Sequence, residues 1–103
     1  MDTDDVRADL EQIIREADAL VAAREAELDE DTEDSNESEA DREEALVDAA
    51  LERKADAEAA LARLEAGTYG VCIDCGDKIV EDRLSFRPEA ARCLPCQEKF
   101  EQP

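Results

Sequence analysis

The clearest chemistry in this chain belongs to four cysteines. Cys72-Ile73-Asp74-Cys75-Gly76 and Cys93-Leu94-Pro95-Cys96 form two C-x₂-C pairs separated by 17 residues. Four thiolates close a tetrahedral zinc site, and two-residue spacing lets each pair chelate from one tight turn. Gly76 can adopt a positive φ, which turns backbone N–H groups back toward the sulfurs. Four cysteine ligands leave no open coordination position, so the expected Zn²⁺ is structural rather than catalytic. The competing chemistry treats each pair as a thioredoxin-like redox motif or a disulfide. No βαβ pattern flanks either pair, and a cytosolic chain keeps its thiols reduced. Zinc is therefore the expected ligand of Cys72, Cys75, Cys93 and Cys96.

The 17-residue spacer must bring the two pairs together. Lys78-Ile79-Val80 and Arg83-Leu84-Ser85-Phe86 read as a short β-hairpin turning at Glu81-Asp82, and Pro95 opens a last helix through Phe100. Four thiolates around a dication keep a net charge of about −2. Lys78, Arg83, Arg87 and Arg92 lie nearby in sequence to offset it. Metal-coupled folding stabilises small zinc modules by about 10–16 kcal/mol, which compensates for a thin apolar core.

That core is thin by count. Of 103 residues, only 20 are Leu, Ile, Val or Phe, whereas 18 are alanine; the formal charge is −19. Such a composition borders on intrinsic disorder and excludes a large enclosed active site. The acidic start Met1-Asp2-Thr3-Asp4-Asp5 is unlike a signal peptide. The longest apolar run is Ala19 to Ala23, too short to span a membrane. A cytoplasmic location is expected. The absence of histidine excludes Ser-His-Asp and Cys-His catalysis, and no enzymatic activity is expected. Direct nucleic-acid binding is disfavoured, because so acidic a surface repels phosphates.

The charge is concentrated upstream. Residues 1–66 hold 24 acids and 7 bases, against 7 acids and 5 bases in residues 67–103. Val6, Leu10, Ile13, Ala17 and Leu20 recur at spacings of three and four, with Ile14 and Val21 beside them. This is a helix packed on one partner. Asp2, Thr3 or Asp4 can cap it. A polar run over residues 29–39 follows, rich in turn formers. Val47, Ala50, Ala57, Leu61 and Leu64 then make a second stripe, flanked by Leu46 and Leu51, interrupted by Lys54 and ended by Gly67. Two helices of about 40 Å each joined by a polar turn make an antiparallel hairpin. A disordered tail and a single dimerising helix are the alternatives. The expected architecture is mainly α: a two-helix coiled-coil hairpin over residues 1–66, with its acidic tip at about 29–39. A C4 zinc-finger module with a short β-hairpin and C-terminal helix follows over 67–103, in a monomeric chain.

Gly67-Thr68-Tyr69-Gly70-Val71-Cys72, Cys75-Gly76, Arg83-Leu84, Arg87-Pro88 and Cys93 with Cys96 together resemble the signature of DksA/TraR C4-type zinc-finger proteins. The motif match covers residues 60–100, and the acidic-tipped hairpin is similar to that family's coiled coil. The resemblance implies a transcription factor that binds RNA polymerase rather than DNA. In such proteins the coiled coil enters the polymerase secondary channel, acidic tip residues approach the catalytic centre, and the zinc end rests on the channel rim. For some members the alarmone ppGpp strengthens the effect. The family's strongest actors carry an Asp-x-x-Asp-x-Ala tip. Counting back from Cys72 without gaps places Asp29, Thr32 and Asp34 there; a two-residue slip gives Asp31, Asp34 and Asn36, restoring both aspartates. Asp31 and Asp34 are the expected tip residues. Longer members have more N-terminal helical sequence than the short segment here.

Two other functions fit the same residues. One is a protein–protein adaptor whose zinc module docks a partner while the arm spaces or dimerises. The other is a factor delivering a metal through Asp31 and Asp34, although the run lacks a D-x-D-x-D-G loop.

Overall fold

The computed structural model describes residues 3–29 and 37–102. Helix α1 spans Thr3–Asp29 and α2 spans Glu37–Ala66. Asp4 and Asp5 lie in the first turn of α1, where they complement the helix dipole. Alanine-rich sequence sustains α2, because alanine loses no side-chain entropy on entering a helix.

The two helices pack antiparallel. Val6, Leu10 and Ile13 of α1 meet Ala57 and Ala60 of α2 in one buried cluster, with Ile14, Leu61 and Leu64 at its margin. Ala17 continues the buried stripe of α1. The small alanines of α2 let the larger α1 side chains approach its backbone, so a few residues suffice to fill the seam. Leu20, Leu46 and Leu51 remain largely exposed, and the stripe is narrower than their apolar character suggests. Lys54, which interrupts the α2 stripe, donates to Asp18 Oδ1 of α1 at 2.6 Å. Near the other end, Arg7 faces Glu65 at 3.6 Å. The lysine thus spans the seam edge and keeps its charge paired. Among the described residues, no helix is long and apolar enough to cross a membrane.

Gly67 ends α2 at φ +80°. The Thr68 N–H bonds the Arg63 carbonyl at 2.9 Å and the Gly67 N–H bonds that of Leu64 at 3.3 Å. This is a Schellman cap, which satisfies two carbonyls that the helix end would otherwise leave unpaired.

Beyond it the chain differs from the expected β-hairpin. Val71 and Lys78 form an isolated antiparallel bridge across the first cysteine pair, and Glu81–Phe86 forms helix α3. Glu81 and Asp82, expected as a turn, occupy the first turn of α3, where acids are favourable. Ser85 Oγ donates back to the Glu81 carbonyl at 3.0 Å. The helical pitch sends Leu84 inward, and Phe86 points to solvent. Helix α4 spans Leu94–Glu101, with Pro95 in its first turn, matching the expected last helix.

Candidate metal centre and its coupling to the hairpin

The first cysteine pair sits on a tight knuckle. The Cys72 N–H bonds the Asp77 carbonyl at 2.8 Å, and the Gly76 N–H returns to the Cys72 carbonyl at 3.0 Å. Gly76 adopts φ +79°, the conformation expected from its place after Cys75. The second pair straddles the start of α4: Cys93 is its N-cap residue and Cys96 lies in its first turn. Between the pairs, the Ile73 N–H bonds the Ala91 carbonyl at 3.0 Å and fixes one limb against the other.

These elements bring all four Sγ atoms within 4.8 Å of one another. The Sγ atoms of Cys75 and Cys93 are 3.7 Å apart. A disulfide needs about 2.05 Å, whereas a tetrahedron with Zn–S bonds of about 2.3 Å has edges of about 3.8 Å. The spacing therefore fits one structural Zn²⁺ and not oxidised pairs. Cys72 is buried, Cys93 and Cys96 are half-buried and Cys75 is exposed.

The sulfurs are unequal. The backbone N–H of Cys75, followed by those of Cys93 and Asp74, pulls the Cys72 thiol down to about 6. Hydrogen bonding with Cys93, and then burial, pushes Cys96 up to about 12. Without metal, the cluster favours one anionic sulfur sharing protons with its neighbours. Zn²⁺ replaces those protons with a shared positive charge.

Of the bases expected to offset the site charge, Arg92 takes a defined place. Its Nε donates to Asp74 Oδ2 at 2.7 Å, and its guanidinium lies 3.9 Å above the Phe100 ring. Arg83 Nε donates to the Arg92 carbonyl at 3.0 Å. The knuckle, α3 and α4 are thereby tied around the sulfurs. Cys72, Ile79, Leu84 and Ala90 form the small core beneath them.

Contacts that sequence reasoning did not single out hold this module to the hairpin. Tyr69 packs against both buried clusters, and its hydroxyl donates to the Pro88 carbonyl at 2.9 Å. Arg53 Nε of α2 faces Glu89 Oε2 at 3.6 Å, and Glu89 is only 6% exposed. Burial, reinforced by Glu89 and Glu52, raises the Asp56 carboxyl above its ordinary range. Tyr69 was visible in the sequence as a lone aromatic beside Cys72, but its partners lie 19 residues onward and on two other helices. Asp31 and Asp34, the expected tip pair, lie outside the described residues.

Residues 67–102 match the family model described as the prokaryotic dksA/traR C4-type zinc finger. The chain is also similar to the structure of transcription factor DksA2 from Pseudomonas aeruginosa. That likeness has a TM-score of 0.76 and 27% identity, covering 96% of this chain and 82% of that one. An uncharacterized protein of Aquifex aeolicus (strain VF5) is 44% identical over 43 residues, which are 42% of this chain and 30% of that relative's length.

Proposed function

Taking the module at residues 67–102 as a member of the DksA/TraR C4-type zinc-finger family, we propose that this chain is a transcription regulator. It binds RNA polymerase and inserts the acidic end of its hairpin into the secondary channel. The observation that carries this reading is the likeness to transcription factor DksA2 over 96% of the chain, hairpin and zinc module together. A zinc finger alone would serve many partners; one joined to an antiparallel helical arm suits insertion.

The physics is compatible with that role. A site closed by four thiolates supports a shape and performs no covalent step. Tyr69, the Schellman cap at Gly67 and the Arg53–Glu89 pair fix α2 on the module, so force on one is transmitted to the other. The arm's excess of acids is attracted to channels lined with basic groups and holding magnesium. Asp31 and Asp34 are the proposed tip residues that approach the polymerase centre.

Binding of the zinc-loaded protein to its host's RNA polymerase core, with a known secondary-channel binder as competitor, tests the reading. Mutually exclusive binding is expected. Asp31→Asn combined with Asp34→Asn should abolish the transcriptional effect while largely sparing binding. An unchanged effect would remove these two residues from the tip, and absence of polymerase binding would overturn the role.

A further inference from the structure

Among the described residues, the hairpin is sealed along only part of its length. The pairs Arg7–Glu65 and Asp18–Lys54 set residues 6–17 of α1 opposite residues 55–66 of α2, and residues 18–26 opposite residues 46–54. Every buried residue of the seam lies in the first pair of stretches: Val6, Leu10, Ile13 and Ala17 from α1, Ala57 and Ala60 from α2. The second pair of stretches contains no buried residue. There Leu20 is 39% exposed, Leu46 59% and Leu51 44%. The Lys54–Asp18 contact at 2.6 Å marks the boundary.

Packing agrees with burial. A hollow of about 270 Å³ opens where Ile13, Ala17 and Leu20 meet Ala49, Ala50 and Arg53. At the base, Val6, Leu10 and Ile13 fill the space over Ala57 and Ala60. In the middle, Ala17 comes to Ala49 and Ala50, and no large side chain fills the gap. Atoms lining such a gap forfeit dispersion contacts, and a helix within a protein owes most of its stability to the packing of its apolar face.

Charge opposes closure from farther out. The same register carries α1 and α2 onward into residues 27–29 and 37–45, which hold seven acids and one base. Like charges on neighbouring limbs repel over a range set by the ionic strength. The middle stretches themselves carry four acids and three bases, so the repulsion acts on them from the distal turns.

We propose that the middle of the hairpin is a charge-controlled zipper. Residues 18–26 and 46–54 part and unwind locally while the distal acids are unscreened, and they close when cations surround those acids. The base, from Val6 to Ala17 and from Ala57 to Leu64, stays shut in both conditions. Compliance is thereby confined to a stretch between the zinc-bearing base and the acidic end, and the arm stiffens on entering cationic surroundings. This holds whichever partner the arm serves.

Amide hydrogen exchange of the zinc-loaded full chain, read by mass spectrometry and referenced to unstructured peptides in the same salt, tests the zipper. In about 0.1 M sodium chloride, peptides from residues 18–26 and 46–54 should exchange about tenfold or more faster than peptides from 6–17 and 57–66. Raising the salt to about 1 M should slow the middle about threefold or more, with a smaller change at the base. Glu27→Gln, Glu39→Gln and Glu43→Gln together remove three charges at nearly equal helix propensity. This variant should slow the middle in low salt as added salt does, and its zinc stoichiometry establishes that the module is intact. Equal exchange along both helices would overturn the proposal, because the seam would then be sealed throughout. A fast middle indifferent to salt and to the triple variant would also overturn it. So would salt that slows base and middle alike, which is the signature of whole-molecule repulsion.

Discussion

At the scale of single residues, the four cysteines combine two different requirements. They must lie at the edge length of a ZnS₄ tetrahedron, as the 3.7 Å contact between Cys75 and Cys93 does, and they must lose their protons. Cys72 is held down at about 6 by backbone N–H groups, whereas Cys96 is pushed up to about 12 by its hydrogen bond with Cys93. Zinc loading near neutral pH should therefore release more than one proton per metal ion. Titration calorimetry in buffers of different ionisation enthalpy measures this number. Apparent zinc affinity should fall steadily with falling pH, most steeply once Cys72 also becomes protonated below about 6. A pH-independent affinity would mean that the thiols are not the ligands being deprotonated.

At the scale of elements, the junction between α2 and the zinc module depends on one backbone conformation. A side chain at Gly67 would meet nothing within 4 Å, so Gly67→Ala introduces no clash. Its cost is the φ of +80° alone, about 1 kcal/mol. The variant should melt a few degrees lower with zinc stoichiometry unchanged, as followed by thermal circular dichroism. An equally stable variant would show that the cap does not hold this conformation. The sequence indicated this cap because glycine after a helical stripe has a specific conformational use. It also indicated both long helices, since a period of 3.6 sustained over many residues is hard to confuse with anything else. Helix α3 was less legible. Six residues with apolar groups at Leu84 and Phe86 suit a strand or a helix, and Glu81-Asp82 suits a turn or a helix start. Lys54 was legible only as an interruption, because Asp18 is 36 positions away. The Tyr69–Pro88 and Arg53–Glu89 contacts likewise exist only once distant segments have met. The cysteine site needed no such knowledge: ligand type and spacing are local, and zinc chemistry constrains the rest.

For the whole molecule, the dominant fact is charge. A net −19 on 103 residues repels itself in the compact state more than in an expanded chain. The Debye length falls from about 10 Å at 0.1 M to about 3 Å at 1 M ionic strength. Zinc-loaded protein should therefore melt at higher temperature as sodium chloride is raised over that range, despite weakening of exposed pairs such as Arg7–Glu65. A melting temperature that falls with salt would place the ion pairs, rather than overall repulsion, in control.

The register of the hairpin bears on how its reach is set. Arg7 faces Glu65 and Asp18 faces Lys54: advancing eleven positions along α1 is matched by retreating eleven along α2. The limbs therefore behave like two scales of a slide rule. Removing one residue from a single limb rotates every later side chain by about 100° and takes the stripe off its seam. Inserting seven residues into both limbs restores the same facing positions and extends the finger by about 10 Å. Reach is thus a quantity that this architecture can change in steps of a heptad, while the cysteine-bearing base keeps its geometry.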